Sequence, residues 1–320
     1  MNSPWTRLAT RAPATVLRHG RAPLVVSWVV THHCNLRCGY CDCPTTLVRE
    51  LTTEQALDVI DGLAQLGAAR VHLTGGEPLV RKDLDALVAR LRYFGMRVGI
   101  TTNGTLVPRR LELLESLHDV ALSLDGPPEI HDVHRGEGQH ADVLAALEAM
   151  QARRPAELRL LCLLTATTTE TAIAHVLEIA ARFGASAFFQ PALDEKIASG
   201  ARNPLAPSQT QLSALLRVVA EHKRAGAPVG SSHAALRDLA AYPDARSLSC
   251  PVNRVAVRLD ATGTLLPCHE RAAAPDGESV LGPGGVVGAF ARLKLKQCTE
   301  CWGSGRVELR LAATGRRLAG

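Results

Sequence analysis

The stretch THHCNLRCGYCDC, residues 31–43, follows directly on an apolar, β-branched run at residues 24–31. Its cysteines Cys34, Cys38 and Cys41 stand in the pattern C-x3-C-x2-C. Thiolates are the usual protein ligands of iron–sulfur clusters. Three so close in sequence can hold three corners of a cubane and leave the fourth iron open to chelate a small molecule. A structural zinc loop draws on the same residue types, with Cys43, His32 or His33 completing a set of four ligands. Spacing alone leaves both readings standing. Position favours the cluster, because loops after the C-terminal ends of parallel strands carry the chemistry of α/β folds. Tyr40, just before Cys41, suits packing on a bound nucleoside as well as ordinary packing, and Cys43 is read as a bystander thiol.

Outward from this loop, short β-branched runs alternate with amphipathic stretches as far as residue 191. The predicted strands cover residues 24–31, 70–74, 97–101, 119–124, 158–164 and 187–190. Between them, apolar residues recur at helical spacing: Ala56, Leu57, Ile60, Leu63 and Ala64, then Leu84, Leu87, Val88 and Leu91, then Ile173, Val176, Leu177 and Ala180. Each set marks one buried helix face. Strand–helix alternation argues for βαβ units on a parallel sheet, either a six-stranded partial barrel or an open doubly wound sheet. Residues 196–207 are polar and broken by Gly and Pro, so they read as a linker, with Ser208 as the N-cap of a helix over 208–225. From Cys250 onward, strands shorten and Gly, Pro and Cys become dense. The expected layout is an N-terminal arm (1–23), a core (24–195), a linker with helices (196–249) and a small Cys-rich module (250–320).

Composition bounds the function. Of 320 residues 46% are hydrophobic but only 3% aromatic, so Ala, Leu and Val must build the core. No apolar run reaches the ~18 residues of a membrane span. The charge of +5 is mild. Arg7, Arg11, Arg18 and Arg21 tilt the first segment basic, and it reads as a solvated leader because it lacks aromatics interleaved to stack bases. Nucleic acid is therefore not expected as a partner. The start carries no apolar core of signal-peptide length, which points to the cytoplasm. In that reducing compartment the nine cysteines are expected to bind metal or do chemistry.

Further unusual residues follow the next three strands. Gly75-Gly76-Glu77-Pro78 combines two glycines, which let backbone approach a ligand closely, with a carboxylate suited to an ammonium group. A plain βα turn with Glu near a helix N-terminus fits equally. Thr102-Asn103-Gly104 and Ser123-Leu124-Asp125-Gly126 end the third and fourth strands, and His131-Asp132-Val133-His134-Arg135-Gly136 comes soon after. Gln190, at the end of the sixth strand, reads as a satisfied buried amide, and Cys162 as a core thiol.

C-x3-C-x-aromatic-C after the first strand, followed in order by GGEP, TNG, SLDG and D-x-x-R-G, resembles the radical S-adenosylmethionine (SAM) superfamily from about residue 24 to 191. The resemblance implies that Cys34, Cys38 and Cys41 bind a [4Fe–4S] cluster whose fourth iron takes SAM. It implies further that Tyr40 lies near the nucleoside and that Gly75, Gly76 and Glu77 hold the SAM amino group. Asn103 and Ser123 would lie near the ribose or carboxylate, and Arg135 would offer a bidentate fork to the carboxylate. With it, the fold class is α/β, a partial (β/α)6 TIM-like barrel.

Cys250, Cys268, Cys298 and Cys301 form a second set in loop-rich sequence, with alternating Val255, Val257 and Leu259 and then Gly263–Leu266 reading as a hairpin. Four thiolates suit another [4Fe–4S] cluster or a zinc ion. C-x17-C followed by C-x2-C resembles the C-terminal extensions called SPASM and twitch. Four cysteines, against about seven in a full SPASM module, match a single-cluster twitch-like module better. His269 and Glu270 read as exposed loop residues.

The expected function is reductive cleavage of SAM to a 5′-deoxyadenosyl radical, which abstracts hydrogen from a peptide or small-molecule substrate. The electron would come from a donor such as flavodoxin or ferredoxin. Two other readings use part of the same pattern: a non-catalytic iron–sulfur or zinc regulator, and an RNA-modifying radical SAM enzyme.

Overall fold

β-branched and apolar runs become strands where one or both faces are covered, and the sequence lays them out in that form. The structure is a computed structural model that describes residues 20–43, 48–151, 153, 157–196, 199–240, 252–267 and 277–294. Its strands are β1 (Val25–Thr31), β2 (Arg70–Gly75), β3 (Arg97–Thr102), β4 (Asp119–Ser123), β5 (Glu157–Leu164), β6 (Ser186–Pro191), β7 (Ala256–Leu259), β8 (Thr264–Leu266) and β9 (Glu278–Ser279). Its α-helices are α1 (Thr53–Gln65), α2 (Leu84–Tyr93), α3 (Leu111–Glu115), α4 (Pro128–Arg135), α5 (Gln139–Gln151), α6 (Glu170–Phe183), α7 (Gln209–Arg224), α8 (His233–Ala240), α9 (Val252–Val255) and α10 (Gly285–Arg292). The six strands and four helices anticipated from residue 24 to 225 each lie within a residue or two of these bounds.

Two compact units divide the chain. The first comprises Met1–Asn35, Thr45–Ile100 and Cys250–Gln297, and the second Leu36–Pro44, Thr101–Ser249 and Cys298–Gly320. In the first, β3, β2, β1 and β7 pair parallel in that order, and β8 and β9 continue antiparallel from β7. Trp28 is fully buried at the centre of β1, with Leu73 and Leu259 opposite on its two neighbours. The register between β1 and β2 shifts between Val29 and Thr31, immediately before the cysteine loop. Such an irregularity re-aims the chain at the end of a strand. α1 starts at a capping box between Thr52 and Gln55 and buries Ala56, Val59, Ile60 and Leu63. Each large apolar side chain so buried stabilises the unit by roughly 1.5–3 kcal/mol before conformational entropy is subtracted.

Residues from 250 onward read as a separate module in the sequence. In the structure the hairpin of β7 and β8 forms as expected, but β7 extends the sheet of the first unit beside β1. Arg21, expected in a solvated leader, is buried: its Nη2 donates to the Phe290 carbonyl and its guanidinium lies 4.7 Å from the Phe290 ring centroid. An amphipathic side chain can bury its stem and stack its planar head on an aromatic face.

In the second unit β4, β5 and β6 pair parallel, and α6 buries Ile173, Val176, Leu177 and Ala180. Ser208 caps α7 through a capping box with Gln211. Cys162 is a buried core thiol on β5, as its apolar surroundings imply. Gln190 does not fit its expected role: it is exposed, because the strand alternates and Phe189 and Pro191 take the buried face.

Candidate active site

In the first unit the site begins where β1 ends. Glu50 Oε1 accepts from the Thr31 hydroxyl at 3.0 Å and from the His32 backbone N–H at 2.6 Å, and the Thr31 hydroxyl accepts from the His33 N–H at 3.0 Å. These bonds set the path of the chain into half-buried Cys34. His32 is paired through Nε2 with Asp260, in the turn after β7, at 3.2 Å. That hydrogen bond raises the His32 pKa against burial, and it holds the Asp260 carboxyl low although burial pushes it up. His32 is thus oriented by Asp260 through Nε2, and its buried Nδ1 makes no hydrogen bond among the described residues. His33 is exposed.

Gly75 and Gly76 pack against the backbone at the end of β1 and just after it. Gly75 has φ +151°, and a Cβ there would collide with the Thr31 carbonyl. A Cβ on Gly76 would strike the His33 carbonyl and lie 2.7 Å from that of His32. Gly76 N–H donates to the Thr31 carbonyl and Glu77 N–H to that of His33, each at 2.8 Å. These glycines thus permit a close approach to the backbone leading into Cys34. Glu77 is fully buried, and its Oε1 accepts from Leu79 N–H at 3.0 Å, so the N-capping alternative describes it directly. In the same unit a cavity of about 470 Å³ is lined by Thr31, His33, Glu50, Arg81 and Lys82, among others.

In the second unit Cys38, Tyr40 and Cys41 lie against the end of β4 and the last turn of α4. Gly39 N–H donates to the His134 carbonyl at 2.9 Å, and Cys41 N–H to that of Cys38 at 3.0 Å. Asp125, just past β4 and 1% exposed, organises the rest. Arg135 donates to it twice, Nε to Oδ2 at 2.6 Å and Nη2 to Oδ1 at 3.2 Å. Leu163 N–H donates to Oδ1 at 2.9 Å and the Tyr40 hydroxyl to Oδ2 at 3.3 Å. The Arg135 guanidinium lies 5.4 Å from the Tyr40 ring centroid. Asp125 N–H in turn donates to His131 Nδ1 at 3.1 Å, leaving the His131 proton on Nε2.

Electrostatics follow from this packing. Burial alone would raise the Asp125 carboxyl, but Arg135 and the Leu163 N–H outweigh it and hold the group below the usual carboxylate range. Burial and the Arg135 charge depress His131 to about 4, so it is neutral at pH 7. Cys41 is lowered to about 6, chiefly by hydrogen bonding from Cys43, so it is a thiolate near neutrality. Cys38 is raised by burial, against the pull of Arg135, and burial likewise holds the Tyr40 phenol high. The bystander thiol Cys43 thus has a role toward Cys41 that spacing did not reveal.

Asn103 is buried, and its Oδ1 accepts from the Thr105 N–H and hydroxyl at 3.1 and 2.7 Å, while Ser123 is buried at the end of β4. Arg135 is not on the surface but forked onto buried Asp125. Asp125, quoted within the SLDG segment but given no role of its own, and Glu50, not singled out at all, are the organising residues. The signal for Asp125 was an acidic residue at a strand end ten positions before an arginine. Among the described residues, no three His, Cys, Asp or Glu side chains are clustered as a metal site. Cys250, Cys268, Cys298 and Cys301, with His269 and Glu270, lie outside the described residues.

Comparison with known proteins matches the radical SAM superfamily over residues 28–175. A PqqA peptide cyclase of Ruegeria pomeroyi is 30% identical over 258 residues, 78% of this chain and 68% of the relative. The Fe-coproporphyrin III synthase of Methanosarcina barkeri is 39% identical over 142 residues, covering 41% of this chain and 35% of the relative. The mycofactocin maturase MftC of Mycolicibacterium smegmatis is 32% identical over 171 residues, 52% and 43% of the two chains. The chain thus spans well under two thirds of several curated relatives it matches. Among solved structures, Streptococcus suis SuiB bound to S-adenosylmethionine superposes with a TM-score of 0.68 over 91% of this chain and 73% of its own, at 16% identity. The AdoMet-bound anSMEcpe superposes at 0.60 over 77% and 74%, at 20% identity. At those identities the likeness is one of fold. With the family match and the Ruegeria relative, the chain belongs to the radical SAM superfamily of enzymes.

Proposed function

We propose that the chain uses a [4Fe–4S] cluster on Cys34, Cys38 and Cys41 to cleave SAM reductively and to modify a peptide. Family membership implies the cluster and SAM. The assignment to these residues rests on the cysteine loop itself. Cys41 sits near its ligating thiolate state because Cys43 stabilises the anion, and Arg135 favours the Cys38 anion against burial. Deprotonated thiols are what iron takes, and Cys41 is in that form near neutrality, which supports the assignment. When bound, the cluster and SAM supply one electron and a carbon radical that removes hydrogen from an unactivated C–H bond.

The chain's own part is placement. Glu50 and the Gly75–Gly76 turn fix the backbone entering Cys34, while Asp125 and Arg135 fix Tyr40 beside Cys41. Gly75, Gly76, Glu77, Asn103 and Ser123 are the proposed SAM contacts, with Glu77 the buried acceptor for the ammonium. We assign Cys250, Cys268, Cys298 and Cys301 to one auxiliary [4Fe–4S] cluster in a twitch-like module beyond a partial (β/α)6 barrel. A flavodoxin or ferredoxin is the proposed electron donor.

A peptide is favoured over a tetrapyrrole as substrate class. The alignment with a PqqA peptide cyclase runs over 78% of the chain, whereas that with the Fe-coproporphyrin III synthase runs over 41%. Anaerobic reconstitution followed by dithionite and SAM tests the core of the reading. The wild-type protein should release methionine and 5′-deoxyadenosine, and Cys38→Ala should release neither. Retained turnover in that variant refutes the ligand assignment. Cys298→Ala should lower iron to one cluster's worth, and zinc in place of iron in anaerobically purified protein defeats the auxiliary cluster.

A further inference from the structure

The structure assigns a metal site away from the cysteines: His140, at the start of α5, and His175, in α6, form a cis pair of nitrogen ligands for a tetragonal divalent ion such as nickel(II). The assignment is independent of the iron–sulfur reading above. Both histidines belong to the second unit, and their Nε2 atoms lie 2.9 Å apart. Two ring nitrogens that close share either a proton or a metal ion. Ligands about 2.0–2.1 Å from one ion and 2.9 Å from each other subtend ~90° at it. Tetrahedral zinc would set its nitrogens roughly 3.3 Å apart, whereas a right angle suits tetragonal ions that take imidazole.

The pair is held in place by its surroundings. His140 is buried, and its backbone N–H donates to Asp132 Oδ1 at 2.7 Å, while Gly138 N–H donates to Oδ2 at 2.9 Å. A residue of α4 therefore fixes where α5 begins. The His131 ring stands edge-on to that of His140, with centroids 6.0 Å apart, and is itself oriented by the Asp125 N–H on Nδ1 at 3.1 Å. The His140 and His175 rings are tilted by 44° with centroids 5.1 Å apart, so they converge at their nitrogens rather than stack. His175 is half-buried, and exposed Glu178 lies one turn further along the same face of α6, which adds negative charge at the open side. Among the described residues no third His, Cys, Asp or Glu completes the set, so the remaining coordination positions fall to water.

The test is calorimetric titration of the anaerobically reconstituted full chain with NiCl2 at pH 8, where ordinary imidazoles are neutral. Wild-type protein should bind one nickel ion that His140→Gln and His175→Gln each bind at least tenfold more weakly. His222→Gln, on α7, should titrate as wild type. All chains are prepared alike, so nickel taken by the cysteines is common to them, and failure of cluster loading bears only on the iron–sulfur reading. Equal binding in wild type and both variants overturns the assignment, as does a wild type with no site at millimolar NiCl2, which leaves the two rings sharing a proton. Nickel K-edge absorption of the wild-type complex needs no variant and guards against misfolded ones. Scattering from two imidazoles supports the site, and a nickel bound without imidazole overturns it.

Discussion

Replacing Gly76 by alanine adds one methyl group where the turn after β2 meets the segment entering Cys34. The new carbon would lie 2.7 Å from the His32 carbonyl oxygen and closer still to that of His33. That is roughly an ångström inside ordinary contact. The obstacle is backbone, held by the Gly76 N–H to Thr31 and Glu77 N–H to His33 bonds at 2.8 Å, so relief must stretch one or both. Losing those bonds costs about 0.5–1.5 kcal/mol each, and overpacking of this kind typically costs 1–3 kcal/mol. Gly76, unlike Gly75, has no positive φ, so alanine can adopt its backbone conformation and stiffens the unfolded chain, a gain of about 0.4–1 kcal/mol. The balance is a net loss of about 1–3 kcal/mol. Reversible urea unfolding followed by circular dichroism should show a lower midpoint at unchanged slope, and iron uptake should fall because the path into Cys34 shifts. A midpoint equal to or above wild type would refute the contact argument.

Other outcomes follow from the second unit. Asp125→Ala leaves Arg135 buried without its anion and should cost about 3–5 kcal/mol in the same unfolding assay, with Asp125→Asn costing less. Because the folded Asp125 pKa lies below its unfolded value, its contribution is complete above about pH 4 and disappears as pH falls through the folded pKa. His131 works over a higher range. Its folded pKa of about 4 lies below the ordinary ~6.5, so acid favours the unfolded state by about 1.4 kcal/mol per pH unit across that interval. His131→Gln should flatten the slope, and an unchanged slope would remove His131 as its cause. In cluster-free protein, Cys41 should alkylate with a midpoint near pH 6 and Cys38 only at higher pH, as read by peptide mass spectrometry. Cys43→Ala should move the Cys41 midpoint upward.

The contrast between Arg135 and the strands shows where sequence reading stops. β1 through β6 were legible because their signals are local: β-branched composition, period and turn residues at fixed offsets. The capping boxes at Thr52 and Ser208 were similarly within reach, being patterns of four residues. Arg135 carried the same charge under every sequence reading, but its partner depended on whether Asp125 pointed inward. The glycine pair was visible, but its packing against the Thr31–His33 backbone, some forty residues away in sequence, was not. Arg21 and Gln190 were misplaced in opposite directions. Arg21, expected in solvent, is buried because Phe290 offers its ring and carbonyl, and Gln190, expected buried, is exposed because the alternation of β6 gives the buried face to Phe189 and Pro191.

Sequence by itself determined the order of strands and helices and the identity of the cysteine loop, because both are written in short-range periodicity and spacing. It also brought the chain within reach of its superfamily, since the motifs recur in a fixed order after successive strands. Only the tertiary structure decided that β7 would sit beside β1, that Glu50 would hold the entry to Cys34 and that Asp125 would claim Arg135. These pairings join residues far apart along the chain. Their energies come from burial and from satisfying polar groups away from water, and neither is set until the surrounding elements have packed.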